Sequence, residues 1–379
     1  MKKEEKSFEK ATKVELKKLH EQSYKIKIFN WLRLFALIYL FIFSIELIKK
    51  ASFFLSKNID VILSNSVNPI KAISAGWFAT SIIQSSDAVG TITAAFAGNN
   101  LISLPVAIYI LIGSSLGTTI TAIIISLVIA SKKKRDFRHG FEIAFSYSIY
   151  SFILVVLVLI LEYFLGAFSK SSLFLATAFH GKISLLKIPS LINVITDPII
   201  DLFFTNVNKI LLIAIGFVIL ILVLRYIGKS IMAVLGGEEK TRKRIDSYFS
   251  SKYKAYFLGV GLTAILFSSS ITIGLLVPLA VARVINLKKA LPFILGADLG
   301  TTSSLFVASL FLGNVQAMAC FFAFALFALL GAIIFLPNIN ILFKLTKYLS
   351  KKLMKISRKK ALVILLIFIL LPLAIVLLC

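Results

Sequence analysis

Two hydroxyl-rich phrases interrupt otherwise apolar stretches of this 379-residue chain. Gln84, Ser85, Ser86 and Asp87 stand as QSSD within TSIIQSSDAVGT, and Ser268, Ser269 and Ser270 stand as SSS within TAILFSSSITIG. Serine hydroxyls and the glutamine amide are hydrogen-bond donors. The apolar chain resuming after each phrase begins a half-helix, whose first N–H groups and positive dipole end favour an anion. Two further phrases follow, GSSLGTT at Gly113–Thr119 and GADLGTT at Gly296–Thr302. Glycine weakens a helix by about 1 kcal/mol relative to alanine, so local unwinding is expected at both. Freed carbonyls, with the hydroxyls of Ser114, Ser115, Thr118, Thr119, Thr301 and Thr302, suit a small hard cation such as Na+. Asp87 and Asp298 would add negative charge, and an acid at membrane depth is by default a functional group. A lone serine in an apolar helix more often bonds back to its own helix.

The four phrases fall into one register. The ungapped offset that pairs Ser85 with Ser268 also pairs Gly76 with Gly259, Thr80 with Thr263 and Gly113 with Gly296. It further pairs Leu116, Gly117, Thr118 and Thr119 with Leu299, Gly300, Thr301 and Thr302. One serine pair arises by chance easily, whereas two spaced motifs in one register do not. An internal repeat is therefore expected. The intervening spans make its copies opposite in orientation, a plan common among secondary transporters.

The elements that must carry these residues are membrane helices. The chain is 59% hydrophobic and 16% charged, against about a quarter charged in soluble domains. Its apolar runs are continuous and lack the period of two of a membrane barrel. The net charge of +25 does not indicate nucleic acid, because the lysines lie in blocks between apolar runs, as the positive-inside rule expects. Cys320 and Cys379 offer no disulfide framework, and His20, His139 and His180 are scattered.

About seven full spans are expected, near Trp31–Ile48, Leu101–Ala130, Phe141–Phe164, Ile210–Ile227, Ala290–Leu312, Ala317–Leu336 and Ala361–Leu378. Residues 69–97 and 256–282 are expected as re-entrant helical hairpins. Residues 1–27 form a cytoplasmic tail, and 28–165 the first repeat, with its broken helix at 101–130. Residues 166–209 form an extracellular amphipathic linker, and 210–337 the second repeat, with its broken helix at 290–312. A basic cytoplasmic linker (338–360) and a C-terminal transmembrane helix (361–379) complete the chain. The basic residues of the tail, of Lys132–Arg135, of Lys229–Lys254 and of Lys344–Lys360 then all face the cytoplasm. The loops Gly98–Ser103 and Gly313–Gln316, which carry no basic residue, face outside. Lys49, Lys50 and Lys57 are mild exceptions. Glu46, Glu142 and Glu162 lie near span ends and are expected at the interface.

On these motifs the chain resembles the Na+/phosphate cotransporter family, which carries two QSSS-type hairpin motifs, each followed by a GANIGTT-like motif. The resemblance covers roughly Trp31–Leu336. It implies Na+-coupled uptake of inorganic phosphate by alternating access across the plasma membrane. Gln84, Ser85, Ser86, Ser268, Ser269 and Ser270 would then hold phosphate. Asp87, Ser114, Ser115, Thr118, Thr119, Asp298, Thr301 and Thr302 would hold Na+. Na+ is the coupling ion and there is no further cofactor. The expected partners are phosphate, Na+ and the lipid bilayer, with a homodimer allowed and no nucleic acid. The chain departs from the family pattern at Asp87, where serine is usual, and at Phe267, where glutamine is usual. Ser115 and Asp298 replace the asparagine. A different coupling ion or stoichiometry, including a proton, follows as a hypothesis. Another small oxyanion or a dicarboxylate is the alternative substrate. A lipid-directed enzyme is disfavoured because the serines have no nearby histidine.

Overall fold

A computed structural model describes residues 28–48, 50–51, 68–129, 134–183, 196, 198–202, 207–234, 249, 251–269, 272–273, 276, 285–353 and 358–378. The N-terminal tail (1–27), the TRKR block, Ser270 and most of the limb following it lie outside the described residues. The helices are α1 (Ile28–Ile48), α2 (Pro69–Ile83), α3 (Ser86–Gly98), α4 (Leu104–Ile129), α5 (Lys134–Leu165) and α6 (Ala167–Ile183). They continue with α7 (Lys209–Val234), α8 (Lys252–Leu266), α9 (Leu287–Leu312), α10 (Val315–Phe335), α11 (Ile339–Leu353) and α12 (Arg358–Leu378). Five of them are long and apolar enough to cross a membrane: α1, α9 and α10, with Leu104–Ile124 of α4 and Gly140–Leu165 of α5. Lys209–Val223 and Leu362–Leu378 are shorter apolar stretches. Every regular element among the described residues is a helix, and the chain is an integral membrane protein.

The first polar phrase breaks its helix where the composition suggested. α2 has 15 residues and α3 has 13. At 1.5 Å per residue each reaches roughly 20 Å, short of the ~30 Å hydrocarbon core. Gln84 ends α2 in the left-handed region (φ 57°), and its N–H donates to Thr80 O. Phe267 ends α8 in the same conformation (φ 48°). The backbone bond from Val89 N to Ser85 O recurs at the repeat offset, from Thr272 N to Ser268 O.

The expected breaks in the long helices do not occur. α4 and α9 run as continuous helices of 26 residues through GSSLGTT and GADLGTT. Their glycines serve close approach instead. A Cβ at Gly113 would collide with Ile73 O on α2, and one at Gly296 with Tyr256 O on α8. Gly76 against Ile110 O matches Gly259 against Phe293 O, and Gly117 against Thr80 matches Gly300 against Thr263. Each contact recurs at the one offset that aligns the motifs. Small residues that let helix backbones touch are the main source of association where lipid removes the hydrophobic driving force.

The remaining helices frame this centre. α1 meets α7 through Phe43, Leu47, Leu212 and Ile213, and the Arg33 Nε donates to Ser230 Oγ at 2.7 Å. Lys50 pairs with Asp201 at 3.0 Å. α12, outside the repeat, sets Phe368 edge-on against Trp77 of α2. Glu162, near the end of α5, is buried (4% exposed). Its carboxylate accepts from Phe168 N, Ser169 N and Ser169 Oγ, and so caps the start of α6.

Candidate functional site

The site is built on the start of α3 and the middles of α4, α5 and α9. Ser85 is the N-cap of α3, with extended backbone and its Oγ accepting from Ala88 N at 3.2 Å. Accepting there leaves its O–H proton free to donate elsewhere. Ser86 and Asp87 follow in the first turn and are buried, while Gln84 is exposed. Ser268 holds the corresponding place after α8 and Ser269 is buried (1% exposed).

The hydroxyls of the two long helices have the opposite hydrogen-bond sense. Thr118 Oγ1 donates to Ser114 O at 3.1 Å, and Thr301 Oγ1 to Ala297 O at 2.8 Å. Thr119 donates to Leu116 O, Thr302 to Leu299 O, and Ser114 to Leu111 O. These protons are tied back into the helix, as apolar surroundings require of a hydroxyl. What remains to each is a lone pair, which suits a cation and not an anion. The direction of the hydrogen bonds thus separates Ser85 from the LGTT hydroxyls.

Two carboxylates lie within this centre, Asp87 at 5% and Asp298 at 3% exposure. Asp87 accepts from Ser304 Oγ at 2.6 Å, which ties the start of α3 to α9. Asp298 accepts from Tyr150 OH at 3.0 Å and Tyr147 OH at 3.3 Å, both on α5. The two rings stack on one another. Gly331 of α10 makes room for the Tyr150 hydroxyl, which a Cβ there would strike. The hydroxyls of Thr91, Thr121, Ser148 and Ser151 are buried without a partner among the described residues. No lysine, arginine or histidine is buried among the described residues. No cluster of three or more His, Cys, Asp or Glu side chains occurs among them either. A cation here would rest on hydroxyls and single carboxylates.

The sequence-predicted residues therefore divide. Asp87 from α3 meets α9, and Asp298 meets α5. Ser114, Ser115, Thr118, Thr119, Thr301 and Thr302 are all buried on the two long helices. Ser270 is outside the described residues. Tyr147, Tyr150 and Ser304 were missed. The tyrosines lie outside both motifs, although FSYSIYSF is an unusually hydroxyl-rich phrase in an apolar helix.

Comparison with known proteins follows the same residues. The sequence profile of the family described as Na+/Pi-cotransporter matches residues 40–188 and 219–356. The sodium-dependent phosphate transport protein 2A of Mus musculus is 22% identical over 89% of this chain and 66% of its own length. Protein 2B of Bos taurus is 25% identical over 65% of this chain and 49% of its own. Protein 2C of Rattus norvegicus is 45% identical over a shorter stretch, 16% of this chain and 10% of its own. The chain thus spans at most about two thirds of the length of these curated relatives. No solved structure matches.

Proposed function

The chain belongs to the Na+/Pi-cotransporter family, and on that premise we propose that it carries inorganic phosphate across the cell membrane together with Na+. The observation that carries this reading is charge balance. Two buried carboxylates face a centre with no buried basic residue among the described residues. Bringing a phosphate anion into it would add like charge at low dielectric, where repulsion between unit charges is several-fold stronger than in water. The anion is admissible only if cations enter with it. The coupling then needs no separate device, because each ion lowers the cost of the other.

In this reading the paired segments α2–α3 and α8 with the limb after Ser268 are re-entrant hairpins of an inverted repeat. Their serine-capped tips hold phosphate, and the LGTT hydroxyls with Asp87 and Asp298 hold Na+. The recurrence of packing contacts at one offset supports two equivalent units, and rocking of such units about a fixed site is the usual route to alternating access. Protons could balance the same charge, and another small oxyanion could occupy the same donors. The test is uptake of radiolabelled phosphate into proteoliposomes. An inward Na+ gradient is expected to drive uptake, and a proton gradient without Na+ is not. Sulfate or succinate accumulation with no gradient-driven phosphate uptake would replace the substrate.

A further inference from the structure

A cavity of about 420 Å³ lies away from the polar centre, at the starts of α8, α9 and α11. Its lining includes Lys252, Lys288 and Lys289, with Ser251, Asn286 and Asn340. Lys252 opens α8, and Lys288 and Lys289 lie in the first turn of α9. A cation is unfavourable at a helix N-terminus, where the dipole is positive. Three lysines lining one concavity at two such ends place like charge where the helix dipoles already disfavour it. Lys252 Nζ donates to Pro337 O at 3.4 Å and lies over the Tyr253 ring, and no acidic residue lines the cavity among the described residues. The positive-inside rule accounts for lysines on this face, but not for three of them lining one cavity. Their counterparts in the first repeat are Pro69, Pro105 and Val106, so the arrangement is not inherited from the repeated packing.

The neighbouring helix indicates what kind of anion reaches the cavity. α11 starts at its rim, with Ile339 and Asn340 in the lining. It buries Leu342 and Thr346, and it exposes Ile341, Leu345 and Tyr348 along one stripe, beside the exposed Lys344 and Lys347. An apolar stripe bordered by lysines is the pattern of a helix lying in the membrane interface. The cavity therefore opens at headgroup depth. We propose that it holds the phosphate group of an anionic phospholipid from the lysine-side leaflet, and that this lipid secures the starts of α8 and α9.

The test uses the full chain in nanodiscs of phosphatidylcholine alone or with phosphatidylglycerol, followed by native mass spectrometry to count retained lipid. The wild type is expected to retain phosphatidylglycerol and to melt higher in the mixed discs. The Lys252→Gln/Lys288→Gln/Lys289→Gln variant is expected to lose that preference, by roughly fivefold in affinity per lysine removed. Lys344→Gln/Lys347→Gln removes charge from the same face outside the cavity and is expected to keep the preference. Asn340→Glu, which adds a carboxylate to the cavity wall, provides a second variant should the triple substitution not fold, and it too is expected to lose the lipid. No preference for phosphatidylglycerol in the wild type, or one that survives both cavity variants, would overturn the proposal. So would thermal protection by inorganic phosphate in Na+-free buffer without any by phosphatidylglycerol. None of these readouts depends on transport, so the proposal and the functional reading fail separately.

Discussion

Gln84 and Phe267 occupy the same left-handed turn in the two halves of the repeat, and one is a polar amide while the other is a phenyl ring. The same contrast runs through both halves. Gly76, Gly113 and Gly117 make the same close approaches as Gly259, Gly296 and Gly300, and both halves bury a threonine hydroxyl without a partner among the described residues, at Thr80 and Thr263. Yet Asp87 answers to Ser270, Ser115 to Asp298 and Thr121 to Ser304. Packing tolerates little change because two backbones must touch, so it is repeated. Side chains that face the polar centre are not bound by that contact and have diverged. Each half now supplies one acid, from a different element. Asp87 comes from the start of α3 and is held by α9, whereas Asp298 comes from the middle of α9 and is held by α5.

The largest expected effect falls on what the halves share. Gly113→Val and Gly296→Val each push a side chain into a facing carbonyl, and each is expected to cost about 3 kcal/mol or more. Yield of monodisperse protein and its melting temperature in detergent would show this. Tolerance in only one half would break the structural equivalence.

The next effect falls on what they do not share. Asp87→Asn and Asp298→Asn are each expected to lower phosphate uptake by roughly tenfold or more, the worth of a hydrogen-bonded charge, and to reduce the Na+ dependence of uptake in proteoliposomes. Ser304→Ala is expected to resemble Asp87→Asn in direction, with a smaller effect. Wild-type Na+ dependence in both Asn variants would remove the acids from the site.

Tyr150→Phe and Tyr147→Phe leave each Asp298 oxygen with one donor fewer. A shift of about threefold to tenfold in the Na+ concentration giving half-maximal uptake is expected, larger for Tyr150, whose contact is shorter. The smallest change in stability is expected for Ser85→Gly. Glycine is a serviceable N-cap, so stability should fall by only a few tenths of a kcal/mol, while the lost hydroxyl donor should raise the phosphate KM. A lowered melting temperature with an unchanged KM would assign Ser85 to capping alone.

Much of this organisation was legible in the sequence because it depends on backbone chemistry. The register of Gly76, Gly113 and Gly117 with their counterparts, and the interruption at Gln84–Ser85, follow from residue types alone. The expected unwinding at the LGTT motifs did not follow, because glycine in an apolar helix permits either a break or a close approach. Only the facing carbonyls of Ile73 and Tyr256 decide which. The partners of Glu162 and the role of the tyrosines were missed for a related reason. A cap for α6 and a clasp on Asp298 are tertiary relations, and neither repeats at the offset that exposed the rest.

The central claim is that the two acids make phosphate admissible only with cations. The direct measurement is equilibrium binding of radiolabelled phosphate to the purified protein in detergent at alkaline pH, in NaCl and in choline chloride, with no gradient present. Saturable binding in Na+ and none in choline is the predicted result. Phosphate binding of equal affinity in both salts would contradict it.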